Sequence, residues 1–413
     1  MAVTALDLQV GALLAGTPDA VADPYPTYAG LRAQGRVHRV NGAVLLSHYQ
    51  DITAILTDTR AQKIFGPAAA LIASAPPDQR AHAEELVSWF RSWLTQSNGQ
   101  THERLRSLVH LAFTAKVIGN LHAGIEAVVG SLLDGIERQG GNTIDFVADF
   151  AYHLPLIVIC QMVDVPVEDR FLIRDWSRGF AAFISGSTDV AASYESMVRL
   201  RSHLGQIVEK RRGGSTTELL TALFNAEEAG DRLSNDELVT MIVHLVFGGH
   251  ETTTHQLGNG LVSLLRNRAQ WDRLREDRSL VRNAVDELLR YNSPVQETHR
   301  AFAEDVEYAS TAIRAGEPVR VLLGSGNHDP EVFPEPERLD VARSNARRQL
   351  GLGLGSHYCL GQALTRLEAE VAFTALLERF PDLTLEREQL EWFPTFSMHG
   401  VRAVPIRLRG RRA

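Results

Sequence analysis

Apolar residues recur at intervals of three and four over most of this chain, and that spacing commits it to a largely helical fold. The pattern predicts helices over 104–133, 171–212, 217–226, 235–267 and 280–291. Strand-like stretches are short and mostly late, at 306–308, 318–323, 383–385 and 401–408, each bounded by turn residues, so the sheets should be small satellites. Near the start, residues 23–55 read as helix, small sheet, helix. Gly140-Gly141 and Gly213-Gly214 punctuate the helical stretches, and there is no internal repeat or low-complexity linker. The expectation is one mainly α domain over 1–413, with 1–20 as a flexible N-terminal segment.

Composition bounds the function. With 44% hydrophobic and 22% charged residues, the 413-residue chain is an ordinary globular protein with material for a large core. A net charge of -8 argues against a general nucleic-acid binder, which would carry a basic surplus to meet phosphates. Residues 1–17 have no basic region ahead of an apolar core, so export is not expected. The most apolar stretch, around 238–247, is interrupted by His244, His250 and Glu251, so no membrane anchor is expected either. Two cysteines, Cys160 and Cys359, exclude a disulfide scaffold and suit a cytoplasmic location. Cys160 lies in an apolar run and reads as core packing.

Cys359 has a different setting. It lies in Leu-Gly-Leu-Gly-Ser-His-Tyr-Cys-Leu-Gly, residues 352–361, just ahead of a helical run over 362–378. Glycines permit tight turns and close approach to a flat ligand, and a cysteine before a helix sits where the dipole and free N–H groups stabilise a thiolate. Those are the needs of an axial iron ligand; taken alone, Cys359 is equally a buried structural thiol. A second run, Phe-Gly-Gly-His-Glu-Thr-Thr-Thr over 247–254, places poor helix formers inside a long helical stretch. Small residues open room beside a ligand, and Glu251 next to Thr252 sets an acid beside an alcohol, a pair suited to proton transfer. Taken alone, this run reads as a helix kink with surface polar residues. A third element is Glu287 with Arg290 at i, i+3 on one helix face, an arrangement usually worth little at a surface.

Together these motifs resemble the cytochrome P450 family of the bacterial type, in order and spacing, from Asp-Pro-Tyr-Pro at 23–26 to the segment beginning at Gly400. The cysteine loop is similar to the family's haem-binding signature at Gly353, Gly355, His357, Cys359 and Gly361, with Leu352 where the family has phenylalanine. The resemblance implies the P450 fold, haem b held by Cys359, and Gly248, Gly249, Glu251 and Thr252 as the oxygen-activating run, in which Glu251 and Thr252 are catalytic. His250 within that run is given no chemical role. Glu287 and Arg290 become the Glu-x-x-Arg support, tied to a downstream meander that includes Arg343, with His328 in place of a more common arginine. The haem propionates would be met by His102, Arg106, Arg300 and His357. Asn98 to Thr101 replace the usual Asp-Pro-Pro before His102.

By the same resemblance the substrate pocket is lined by the stretches 65–93, 180–184, 243–248, 295–298 and 396–398, with Phe65, Trp89, Val243, Phe247, Val295, Gln296, Glu297, Thr298, Phe396 and Met398 singled out. Gln296, Glu297 and Thr298 would suit a substrate with amide or amine groups if they point inward, the alternative for Gln296 and Glu297 being that each is solvated or satisfies backbone. The expected activity is a monooxygenase that uses O2 to oxidise a small organic, specialised-metabolite type of substrate. The alternatives are an oxidase that couples or desaturates its substrate without inserting oxygen, and a haem-thiolate sensor that turns nothing over. Electrons would come from a separate ferredoxin and its reductase, since the chain lacks cysteines for a cluster of its own. Arg347, Arg348 and Arg366 are candidate cations for docking that partner. The chain is expected to be a monomer.

Overall fold

The computed structural model describes all residues except 1–3, 41, 111–112, 188, 213, 215–216, 226, 229–230 and 409–413. Gly213, the predicted helix end at Ala226 and the first three residues of the N-terminal segment lie outside the described residues. Contacts divide the chain into two units, one of residues 1–62, 122–154 and 251–413, the other of residues 63–121 and 155–250.

In the first unit a sheet is built on Ala43–Leu46. Val37–Val40 pairs with it antiparallel and Val319–Val321 parallel, with Val319 opposite Val44; Thr298–Ala301 then pairs antiparallel to Val319–Val321, with Arg300 opposite Val319. Alternation along the strand sends Val44 and Leu46 into one core with Ile52, Ile55, Phe302 and Val321. Leu45 faces a second core with Leu13, Tyr28, Leu31 and Phe396. A smaller sheet joins Thr384–Leu385, Pro405–Arg407 and Thr143–Asp145. Helix Gln362–Arg379 packs on Val281–Tyr291 and on His122–Gln139.

The segment expected to be flexible at the N-terminus instead contains helix Ala5–Leu14. Thr4 and Asp7 form a reciprocal capping box, and Leu6, Val10 and Leu13 are buried, which anchors it.

The second unit holds helices Arg80–Arg91, Gly99–His110, Arg170–Ile184 and Val190–Arg211. The stretch predicted as one helix over 171–212 is two, because Gly186 takes φ +96° and the Asp189 side chain then accepts a bond from the Ala192 amide to start the next helix. Those two helices approach closely at Gly179, where a Cβ would fall 2.2 Å from Ser196 Oγ. The stretch over 104–133 likewise resolves into Gly99–His110, Ala115–Asn120 and His122–Gln139, with Thr114 capping the middle one. The predicted helix over 235–267 is continuous as Asn235–Arg266, belonging to the second unit through His250 and to the first from Glu251. Among the described residues no helix is long and apolar enough to cross a membrane.

Candidate functional site

The cysteine loop is held by its own backbone. The Cys359 amide donates to the Leu352 carbonyl at 2.9 Å, closing the turn, and Gly353 N–H donates to the Leu350 carbonyl at 2.8 Å. Gly353 and Gly355 adopt φ of +73° and +72°, where any side chain is strained. At Gly355 a Cβ would also lie 2.4 Å from the Leu56 carbonyl oxygen, so glycine is required twice over. Gly361 differs: its φ is ordinary and nothing lies within 4 Å of where a Cβ would be. Glycine there leaves room. Cys359 is partly exposed, outside any disulfide, and three residues ahead of helix Gln362–Arg379, whose unpaired N–H groups favour a thiolate nearby. Leu352 is buried beside it.

A buried ionic cluster supports this loop. Glu287 and Arg290 are fully buried; Arg290 donates Nε and Nη2 to the two Glu287 oxygens at 2.7 and 2.9 Å. Arg343 Nε donates to Glu287 Oε1 at 3.0 Å, and Arg290 and Arg343 also cap the carbonyls of Asn327, Pro336 and Pro334. This geometry belongs to the interior, where breaking one partner is costly. His328 keeps part of the meander tied in a form other than an arginine would. Its Nε2 lies 2.9 Å from the Tyr291 carbonyl and its Nδ1 3.2 Å from Glu337, while the ring stacks on Tyr25 at 4.0 Å. Burial pushes the His328 pKa down and the Glu337 bond acts against that. Asn327 Oδ1 accepts from the Leu350 amide at 2.6 Å, linking meander to loop.

Glu251 and Thr252 lie side by side in helix Asn235–Arg266, both partly exposed. The next residue, Thr253, turns into the core, its hydroxyl 3.1 Å from that of Thr365, which donates onward to Gln256 Oε1 at 2.7 Å. A Cβ at Gly249 would meet Ile159 at 3.4 Å, an ordinary contact. His250 is fully buried.

Arg300 is 3% exposed, and its Nη1 donates to the Thr298 hydroxyl at 3.2 Å and to the His299 carbonyl at 3.0 Å. No carboxylate pairs with it among the described residues, and burial alone pushes its pKa down to about 10. His102, buried, and Arg106 share one face of Gly99–His110 in the second unit. Asn98, where the resemblance expects aspartate, holds the turn before them: its Oδ1 accepts from the Lys63 amide at 2.6 Å and its Nδ2 donates to the Lys63 carbonyl at 2.9 Å.

Comparison with known proteins decides what this arrangement is. The cytochrome P450 family model matches residues 195–407. The cytochrome P450 monooxygenase PikC of Streptomyces venezuelae is 36% identical across 98% of this chain and 95% of its own. The chain belongs to the cytochrome P450 family. Cytochrome P450 107B1 of Saccharopolyspora erythraea is 37% identical across 93% of the chain and 95% of its own length. The solved structure of the bacillaene polyketide synthase P450 PksS of Bacillus subtilis has a TM-score of 0.85 at 31% identity, covering 95% of this chain and 98% of that one. The mainly α fold with small sheets is thus the P450 fold, and the protein is an oxidoreductase of the monooxygenase type.

Membership of the P450 family implies haem, and the residues present fit it. A buried arginine without a carboxylate partner matches the need of a propionate for a cation. A cysteine before a helix start, in a loop with one open glycine position, suits a thiolate ligand to a flat ring. Cys160 cannot serve, because it is buried in an apolar helix and desolvation pushes its thiol up to about 12.

Several expected pocket residues have other work. Gln296 is 1% exposed, accepting from the Tyr28 hydroxyl at 2.8 Å and donating to the Ser293 carbonyl at 2.7 Å. Glu297 is gripped by Arg320 at 2.8 and 2.6 Å and accepts from Ser397 at 2.6 Å. Their polar atoms are taken by protein partners, which corrects the expectation that they greet a substrate amine. Thr298 accepts from Arg300, Val295 bridges to Met398, and Phe396 is buried in the core with Leu13 and Tyr28. In the second unit, Trp89 stacks on Tyr194 beneath Arg201, Phe65 meets Phe90 and Phe247 meets Trp93, and Val243 is buried. Trp93 and His244 fall within the expected lining stretches 65–93 and 243–248 without being singled out there, and Trp93 lies at the centre of the aromatic contacts. Arg366, expected at a docking surface, is turned inward onto buried Asp286 at 2.8 Å and onto Tyr358. Arg347 remains 72% exposed, and Arg348 lies over the Tyr49 ring.

Proposed function

We propose that this P450 takes electrons from a separate ferredoxin and its reductase and inserts one oxygen atom of O2 into a C–H or C=C bond of a small specialised metabolite. When bound, haem b supplies the one-electron redox chemistry and the activation of O2. Cys359 holds the iron as thiolate. Arg300 and His357 would hold propionates, as would His102 and Arg106; Leu352, Gly353 and Gly361, and likewise Gly248 and Gly249, would leave room for the ring. Glu251 would take a proton from solvent on its carboxyl and pass it to the neighbouring Thr252 hydroxyl, which would hold a proton at Oγ1. Glu287 and Arg290 keep the cysteine loop in register. Phe65, Val243 and Phe247 line the substrate's approach. The chain works as one functional domain and as a monomer in the cytoplasm, and Arg347, 72% exposed, is the candidate cation for an acidic partner.

The observation that carries this reading is the cysteine loop, closed by the Cys359-to-Leu352 bond and opened by glycine at 361, with the unpaired cation of Arg300. Reduced protein under CO should show the red-shifted Soret band of thiolate ligation, and Cys359→Ala should abolish it. A variant that kept the band would remove Cys359 from its role. With substrate, reductase and ferredoxin, product mass should rise by one oxygen; loss of hydrogen or coupling would point to an oxidase.

A further inference from the structure

Within the second unit, aromatic rings from separate segments converge on Trp93. Phe90 meets it edge-on at 4.9 Å, Phe180 at 5.4 Å and Phe247 at 5.2 Å, and the His244 imidazole stacks on it at 5.2 Å and 28°. Phe65 extends the group through Phe90 at 4.7 Å. Trp93 is 2% exposed and His244 8% exposed. Yet Trp93 Nε1 and His244 Nδ1, both buried, have no hydrogen-bonding partner among the described residues. An orphaned buried polar atom is destabilising, and most buried polar groups in folded proteins are paired.

The lining says what would satisfy them. None of these side chains carries a formal charge at neutral pH, since burial pushes His244 down to about 4 and keeps it neutral. An indole N–H only donates, so the visiting group must accept there; Nδ1 of a neutral imidazole donates or accepts by tautomer, and a hydroxyl suits either. The faces and edges of the surrounding rings favour a flat π-system in offset or edge-on contact. Position 248 is glycine, with its would-be Cβ 3.9 Å from His244 Cδ2 and Nε2, so no side chain there covers the edge of the imidazole.

We propose that Trp93 and His244 are the specificity-determining polar pair of the substrate site, and that the substrate is a neutral, planar aromatic molecule whose hydroxyl or enol oxygen meets Trp93 Nε1 and His244 Nδ1. This rests on the monooxygenase reading above and names the substrate class for it.

The test uses the haem-loaded full chain and three probes of similar size: 2-naphthol, naphthalene and the saturated alcohol 2-decalol. Binding is read by equilibrium dialysis and, separately, by Soret perturbation. The wild type should bind 2-naphthol about tenfold more tightly than either of the others, as one or two buried hydrogen bonds would give. In Trp93→Phe and in His244→Phe the advantage over naphthalene should fall several-fold toward unity while naphthalene affinity holds. Equal binding of all three probes by the wild type, as when ordered water already satisfies the pair, would overturn the proposal without any variant. So would an advantage that survives both substitutions, or 2-decalol binding as well as 2-naphthol. The CO spectrum of the same samples separates the two readings: a normal thiolate band with no naphthol preference removes only the substrate class, whereas a missing band with preference intact removes the haem-thiolate assignment.

Discussion

The hydroxyl of Thr253 lies 3.1 Å from the hydroxyl of Thr365, and through that contact the helix carrying Glu251 and Thr252 is fastened to the helix that follows Cys359. Thr365 also donates to Gln256 Oε1, so one side chain serves two partners in a buried setting. Thr365→Val keeps the shape but leaves both partners unsatisfied. It should cost about 1–3 kcal/mol of stability, read from denaturant unfolding of the haem-loaded protein. A loss within error of zero would show that the bridge contributes nothing.

Thr252, one residue earlier, should behave in the opposite way. It is partly exposed and belongs to the proposed proton path, so Thr252→Ala should leave the unfolding midpoint nearly unchanged. Reductant consumption should continue while product per reductant drops by about tenfold or more. Undiminished coupling would take Thr252 out of the proton path. The adjacent threonines thus separate packing from chemistry in two measurements.

Arg290 makes the third case. Its guanidinium is fully buried and pairs with a Glu287 that Arg343 also holds. Arg290→Met removes one cation and leaves several carbonyls without a donor, so about 3–5 kcal/mol should be lost. The yield of haem-loaded protein should fall with it, because the meander that fixes Leu350 through Asn327 is held by the same arginine. Wild-type stability in this variant would show that the pair is dispensable.

What the sequence made legible follows from how local each constraint is. The turn around Cys359 needs glycine at 353 and 355 by backbone geometry, and Glu287 reaches Arg290 within one helical turn, so both were readable from spacing. The small sheets and the long helix were readable from alternation and period. For Gln296 and Glu297 the sequence left a substrate contact and a satisfied structural role both open, because their partners, Tyr28, Arg320 and Ser397, are distant in sequence and nothing local announces them. Trp89 was singled out from the stretch 65–93 rather than Trp93, which lies just past the end of the same helix, since composition does not say which of two tryptophans is the more deeply buried. Arg366 reads as surface charge until buried Asp286 is seen beside it. The helical run over 171–212 was read as continuous because Gly186 and Asp189 act as a stop and a start only once the chain turns there.

Glu368 carries a prediction that depends on pH. It is 1% exposed on the helix following Cys359, one turn beyond Thr365, and its Oε2 has no protein partner. Desolvation by burial holds its carboxyl well above the ordinary value of 4.5. Below about pH 4.5 the folded and unfolded chains both carry this proton, and the residue contributes no pH dependence. Above it the unfolded chain releases the proton while the folded chain retains it, so wild-type stability is lost as pH rises toward the folded value. Glutamine is neutral throughout and similar in shape. Glu368→Gln should therefore gain on the wild type by up to about 1.4 kcal/mol for each pH unit above that point, until the folded carboxyl itself ionises. Thermal unfolding of the two proteins at pH 5 and pH 8 reads the effect. A difference that stays constant between the two pH values would mean that the carboxyl is already ionised in the fold, with a partner that holds its charge.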